Sequence, residues 1–268
     1  MDDIAKRGMV LLGCGKMGSA LLNGWLAAGL PATSVWVVDP APSEALLALN
    51  VHVNAPLPEN PAFVLVAVKP QTMADALPGF AHLGGGDTTF LSIAAGTQIR
   101  VFEEVLGKET PVIRAMPNTP AAIGKGITAF VGNQHVSPAS MTSAESLLSA
   151  VGQVVRLKSE AQMDAVTGVS GSGPAYVFFL IEALAAAGEA EGLDPDLALS
   201  LAKATVAGAG ALAEVAEESP SQLRRNVTSP NGTTQAGLDE LMDANNGLPN
   251  LIRRTVSAAT KRSRELSK

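Results

Sequence analysis

The segment that most limits how this chain can fold lies close to its start. Met9-Val10-Leu11-Leu12 is a short apolar run, and it leads directly into Gly13-Cys14-Gly15-Lys16-Met17-Gly18 and a helical pattern over Met17–Ala28. A buried strand that ends in G-x-G-x-x-G and opens a helix is a phosphate-binding turn. Gly13 permits the tight turn, Gly15 lets a pyrophosphate approach the main chain, and Gly18 lets helix and strand pack closely. The free N–H groups at the helix N-terminus then point at the anion. The glycine pattern alone is common; its place between strand and helix gives it weight. Cys14, Lys16 and Met17 fill the variable positions of the same turn, and Cys14 is read as filler with no redox role.

The pattern of that first unit continues. Short apolar runs at Val35–Val38, Phe63–Val68, Thr89–Ile93 and Val112–Met116 are bounded by Gly, Pro or Asp, and helical stretches such as Ser43–Leu49 lie between them. Two more strands are expected at Ile127–Val131 and Val154–Leu157, with a helix starting near Pro138. Strand–helix alternation of this kind gives a mostly parallel sheet covered on both faces. From about Glu160 strand patterns cease. Helices are expected over 161–191, 195–217, 220–226, 234–243 and 250–266, several with proline at or near their start (Asp194-Pro195, Ser219-Pro220, Leu248-Pro249). The reading is therefore an α/β, doubly wound Rossmann domain over 1–159, followed by an all-α domain over 160–268.

The helix over 195–217 carries Ala202, Ala204, Ala207, Gly208, Ala209, Gly210 and Ala211. A helix apolar all round has to be buried, and small residues permit close packing. A helical domain this small has few neighbours to offer, so a second subunit is expected to supply them.

Composition excludes several classes. A net charge of −6 argues against nucleic acid as the main partner. One cysteine allows no intrachain disulfide, and His52, His82 and His135 are too scattered for a metal site. The greasy run Ala175–Ala187, interrupted by Glu182, is short for a bilayer and reads as a buried core helix. The expectation is a cytoplasmic protein with no membrane partner.

Strand ends locate the rest of a dinucleotide site, because ligands of open α/β sheets bind beyond the carboxyl ends of the strands. Asp39 follows the second strand, where an acid accepts from the adenosine ribose hydroxyls and favours NADH over NADPH; the alternative is that Asp39-Pro40 only starts a turn. Phe63–Val68 runs into Lys69-Pro70, and the next strand runs into Ala94-Ala95-Gly96, small enough to admit a flat ring. Lys69 reads equally well as a solvated strand terminus.

The motifs AVKPQ (67–71), SIAAG (92–96), RAMPNTPA (114–121), DAVTGVSGSGPAYVF (164–178) and TSPNGTTQAGL (228–238) occur in that order. This set resembles the pyrroline-5-carboxylate reductases over essentially the whole chain. The resemblance implies reduction of 1-pyrroline-5-carboxylate to L-proline with NADPH or NADH, and a homodimer through the C-terminal helices that assembles into a larger ring. It implies a cofactor lining of Gly13, Cys14, Gly15, Lys16, Met17, Gly18, Val68, Lys69, Pro70, Ala94, Ala95 and Gly96, joined by Glu160 and Asn226. It also implies a substrate loop of Ser229, Asn231, Gly232, Thr233 and Thr234, with Thr234 catalytic beside the ring nitrogen.

That loop has its own logic. Asn231-Gly232 permits positive φ and turns successive N–H groups inward, and the helix that follows offers a carboxylate its N-terminus. An ordinary capping turn has the same residues. The family usually carries Gly where this chain has Asn231, a departure that Asn tolerates best among non-glycine residues. Two rival readings differ at single features. A β-hydroxyacid dehydrogenase needs a lysine where this chain has Val177, which moves no proton. A non-catalytic dinucleotide sensor would have no use for the 229–234 loop.

Overall fold

Successive residues of a strand point to opposite faces of the sheet, so a strand covered on both sides needs an apolar side chain at every position. Met9–Leu12 (β1) meets this demand, with all four residues buried. Met9 and Leu11 belong to one apolar layer, Val10 and Leu12 to the other. The computed structural model describes residues 2–267. It sets β1 in an eight-stranded sheet with Val35–Val38 (β2), His52–Val53 (β3), Phe63–Val66 (β4), Thr89–Ser92 (β5), Val112–Met116 (β6), Gly126–Gly132 (β7) and Gly152–Arg156 (β8). The order is β3-β2-β1-β4-β5-β6-β7-β8. Neighbours run parallel except β6 and β7. The strand order reverses between β1 and β4, the mark of a doubly wound sheet.

One face is covered by the helices Lys16–Ala27 and Pro138–Ser149, through Leu21, Leu22, Trp25, Ala144, Leu147 and Leu148. The other is covered by Met73, Leu77 and Phe80, and by Phe102 and Leu106 of the helix Ile99–Leu106. Trp25 is fully buried, and its indole N–H donates to the Leu147 carbonyl at 2.8 Å, tying the two helices of the first face together.

The strand ends differ from the sequence expectation for a physical reason. The β4 ladder stops at Val66 because β4 pairs with β1 only as far as Leu12, where the chain turns away, and β5, paired with β4, stops level with it at Ser92. The last strand starts at Gly152 and not at Val154; a side chain there would collide with the Gly126 main chain, which only glycine avoids. The two-residue β3 is too short for alternation to register. The helix expected over Ser43–Leu49 contracts to Glu44–Leu47, with the Ser43 hydroxyl accepting from Leu46 N at 3.2 Å.

The chain divides into two compact units: one runs up to Gly171 and resumes at Ala259, the other is Ser172–Ala258. Residues 160–171 group with the sheet, a few residues beyond the division that sequence composition suggests. Met163 packs into the second apolar layer, and the Asp164 carboxylate accepts from Ser263 Oγ at 2.7 Å near the C-terminus. Within this stretch the expected helix is interrupted by a π-helical turn at Thr167–Gly171.

The second unit holds the helices Gly173–Ala190, Pro195–Val215, Pro220–Asn226 and Thr233–Leu241, and most of Leu248–Leu266. Asp194 caps the second of these by accepting from Asp196 N at 3.0 Å, and Ser219 caps the third by accepting from Gln222 N at 3.3 Å. Gly188 packs against Ala198, so small residues do bring the first two helices together. The expectation of a buried core helix over Ala175–Ala187 is corrected, since Phe178 is 57% and Phe179 68% exposed in the single chain. Only Ala198 and Ala202 are buried on Pro195–Val215. The length argument is corrected too. Glu160–Ala190 and Pro195–Val215 are each long and apolar enough to cross a membrane by length and composition, because the helical stretch extends well beyond the run counted in sequence.

Trp25→Phe keeps most of the apolar volume but strands the buried Leu147 carbonyl. It is expected to destabilise the protein by about 1–3 kcal/mol, read as a lower urea midpoint with an unchanged slope.

Candidate functional site

Parallel pairing brings separate turns to one edge. Leu12 is in register with Val38 and with Val66, and Val66 with Ser92. The residues that follow β1, β2, β4 and β5 therefore emerge side by side, at the carboxyl edge where the strand order reverses. These are Gly13–Gly18, Asp39, Val68–Pro70 and Ala94–Gly96.

The glycine turn has the shape its sequence demands. Gly13 has φ +86°, and a Cβ there would stand 3.0 Å from Val68 Cγ1. A Cβ on Gly18 would stand 2.6 Å from the Gly13 carbonyl oxygen, so helix and turn are in close contact. Gly15, by contrast, faces open space: nothing lies within 4 Å of the position its Cβ would take. It is the N-cap of Lys16–Ala27, and no side chain caps that helix. An uncapped helix N-terminus with open space before it fits a pyrophosphate.

Asp39 is bound to this turn. Its Oδ2 accepts from Cys14 N at 2.7 Å and its Oδ1 from Ala41 N at 2.9 Å. Asn54, at φ +49°, grips the Asp39 main chain from both sides, accepting from Asp39 N at 3.0 Å and donating to Asp39 O at 2.9 Å. Burial, and secondly the Asp39 carboxylate, push the Cys14 thiol up to about 11.

At the neighbouring strand ends, Lys69 is exposed, and its carbonyl accepts from Thr72 N and Thr72 Oγ1 as Pro70 opens a short 3-10 turn. Ala94 is buried, Ala95 exposed, and Gly96 has φ +77°. Glu160 reaches the same loop: its Oε1 accepts from Ile99 N at 2.9 Å, at the start of the helix after β5, and from Arg114 Nη1 at 2.8 Å. Arg114 is only 4% exposed, on a strand covered from both sides.

In the second unit, Asn231 has φ +58°, the left-handed value expected of it. Gly232 N donates to Ser229 O at 3.1 Å, and any Cβ on Gly232 would collide with Ser229 Oγ. Gly232 is the N-cap of Thr233–Leu241 and no side chain caps that helix, so its first N–H groups are available to an anion; Thr233 and Thr234 are exposed there. Asn226 ends the preceding helix, exposed, accepting from Gln222 Nε2 at 2.7 Å.

Comparison with known proteins gives the family. Residues 9–96 match the family described as NADP oxidoreductase coenzyme F420-dependent, and residues 160–266 that described as pyrroline-5-carboxylate reductase dimerisation. A pyrroline-5-carboxylate reductase of Pseudomonas aeruginosa is 40% identical, covering 97% of this chain and 96% of the relative. The chain belongs to the pyrroline-5-carboxylate reductase family. The structure of a Coxiella burnetii pyrroline-5-carboxylate reductase superposes with a TM-score of 0.90 at 34% identity, covering 98% of this chain and 99% of that one. A Plasmodium falciparum pyrroline carboxylate reductase with NADP bound gives 0.85 at 27% identity, over 98% and 99% of the two chains.

Against the family motifs, three residues stand out that sequence reasoning gave no role. Asn54 was silent because only the fold brings it beside Asp39. Arg114 had a readable signal, a charge inside the apolar strand VIRAM, which requires a buried partner. Asn118 of RAMPNTPA accepts from Ile127 N at 2.9 Å and donates to Ser170 O at 3.2 Å in the π-helical turn. Gly171 abuts Met116 of the same chain, while Gly173 faces open space. Glu160→Ala would leave the Arg114 guanidinium buried without its carboxylate. A loss of about 3 kcal/mol or more in unfolding free energy is expected, with Arg114→Met/Glu160→Met recovering part of it.

Proposed function

We propose that this chain reduces the C=N bond of 1-pyrroline-5-carboxylate to L-proline, the last step of proline biosynthesis, using NADPH or NADH. The observation that carries this is the full-length relation to reductases of that name, 40% identical across 97% of the chain. The uncapped helix ends at Gly15 and Gly232 supply what two anionic groups need.

When bound, the reduced nicotinamide supplies a hydride to the imine carbon. The chain's part is positioning and charge stabilisation. The N–H groups of Gly15, Lys16, Met17 and Gly18, with Gly13 and Cys14 shaping the turn, hold the pyrophosphate. Val68, Lys69, Pro70, Ala94, Ala95 and Gly96 line the cofactor, and Glu160 and Asn226 complete its set. Ser229, Asn231 and the N–H groups of Gly232 and Thr233 hold the substrate carboxylate. The Thr234 hydroxyl hydrogen-bonds the ring nitrogen and orients the C=N bond. A cyclic imine that is protonated near neutral pH needs no strong acid from the protein. Asn231 keeps the loop shape that glycine provides in other members, as its left-handed φ supports.

The exposed apolar helices of the dimerisation region pair with a second copy, and dimers associate further into a ring. The chain is taken to work in the cytoplasm, as the sequence reading expects.

The test is oxidation of NADPH and NADH by the purified protein with 1-pyrroline-5-carboxylate, with proline identified as product. Turnover is expected; binding of cofactor without turnover would replace the reductase by a sensor. Thr234→Ala is expected to lower kcat/KM by about ten- to a hundredfold, the loss of one hydrogen bond to a charged group. Gly15→Ala adds a methyl to open space, so the melting temperature should hold while cofactor affinity falls at least about tenfold.

A further inference from the structure

An acid after the second strand of a dinucleotide fold is ordinarily assigned to the adenosine ribose, where its two oxygens take the hydroxyls and exclude a 2′-phosphate. The carboxylate of Asp39 is differently committed. One oxygen accepts from Cys14 N, inside the glycine turn, at 2.7 Å; the other accepts from Ala41 N at 2.9 Å and closes its own turn. Its main chain is held at N and at O by Asn54. Asn54 is one of two non-glycine residues with positive φ among those described. The Gly13 N–H is also taken from this side, by the Val38 carbonyl at 2.8 Å. The first two residues of the turn thus hang from the end of β2 by two short bonds, one of them charge-assisted and hence the stronger kind.

Resting on the dinucleotide reading above, we infer that Asp39 is a positioning residue. Its carboxylate sets the shape of the glycine turn, so it supports NADH and NADPH alike and does not select between them. Asn54 is the second element of the device, fixing the Asp39 backbone so that the carboxylate is aimed at Cys14 N. With the Cys14 N–H drawn towards Asp39, the N–H groups that follow at the start of the helix are left for the pyrophosphate. The closeness of the carboxylate is also felt at the Cys14 thiol, which it helps to keep protonated.

The experiment measures Kd for NADH and for NADPH separately, by calorimetry on the otherwise unaltered protein, for wild type, Asp39→Asn, Asp39→Glu and Asn54→Gly. Asp39→Asn keeps one acceptor oxygen and loses the charge. It is expected to weaken both cofactors by the same factor, about ten- to a hundredfold, leaving the ratio of the two Kd values as in wild type. Asp39→Glu is expected to weaken both as well, because the longer arm misplaces the oxygens; a ribose reader would accept Glu in place of Asp. Asn54→Gly preserves the backbone conformation and the Asp39 charge, and should produce a smaller, equally unselective loss. A readout independent of cofactor is the pH profile of Cys14 alkylation, whose midpoint near 11 should fall in Asp39→Asn. Weakened NADH with unchanged or tighter NADPH in Asp39→Asn, or full affinity in Asp39→Glu, would overturn the inference. Should Asp39→Asn fail to fold, Asn54→Gly decides, a selective loss again counting against it. Wild type binding neither cofactor would instead sink the dinucleotide reading itself.

Discussion

The structure of the first unit depends on where one hydrogen-bonded ladder stops. β1 is buried on both faces and pairs with β2 on one side and β4 on the other, and at Leu12 all three strands end in register. Beyond that point the ladder runs out after one last bond, and the main-chain groups that follow must find other partners, since an unpaired buried N–H or C=O costs as much as a lost hydrogen bond. Gly13 answers by turning with positive φ and donating to Val38 O; Cys14 N turns to the Asp39 carboxylate. The uncapped end of the following helix is what remains after those demands have been met. The open edge therefore forms where β-pairing ends, at the point where strand order reverses.

A second constraint is the guanidinium of Arg114, buried on an interior strand. Among the described residues no buried side-chain polar atom lacks a partner, and for Arg114 the charge is balanced by Glu160. That carboxylate also caps the helix after β5. One acidic side chain thus settles a buried charge and an orphan N–H together. It also anchors residues 160–171 to the sheet, so the segment that begins the dimerisation region is fixed by an ion pair within the first unit. Breaking such a pair is far costlier than never having had it.

The strand–helix alternation, the glycine turn and the capping signals at Asp194 and Ser219 were legible because each is local: periodicity, a missing Cβ, or a side chain two or three residues from the N–H it accepts. The left-handed Asn231 was legible for the same reason. Contacts between distant residues were not. Asn54 with Asp39, Arg114 with Glu160 and Asn118 with Ser170 join residues from different turns, and no periodicity in the chain predicts which will meet. The exposure of Phe178 and Phe179 was misread in the same way, because an apolar run says that a surface will be covered but not by what.

The sequence by itself determined the class of fold, the order of its elements, the glycine turn at Gly13–Gly18 and the left-handed turn at Asn231, and, through its ordered motifs, the reductase family. Those are properties of short segments, set by backbone sterics and side-chain pattern. Only the tertiary structure decided which side chains share a hydrogen bond across the strand ends. It turned the carboxylate of Asp39 onto the glycine turn and that of Glu160 onto a buried arginine. The physical reason is that a polar group leaving water takes whichever partner the packed main chain brings within 3 Å or so, and that partner is fixed by strand register and not by proximity in sequence.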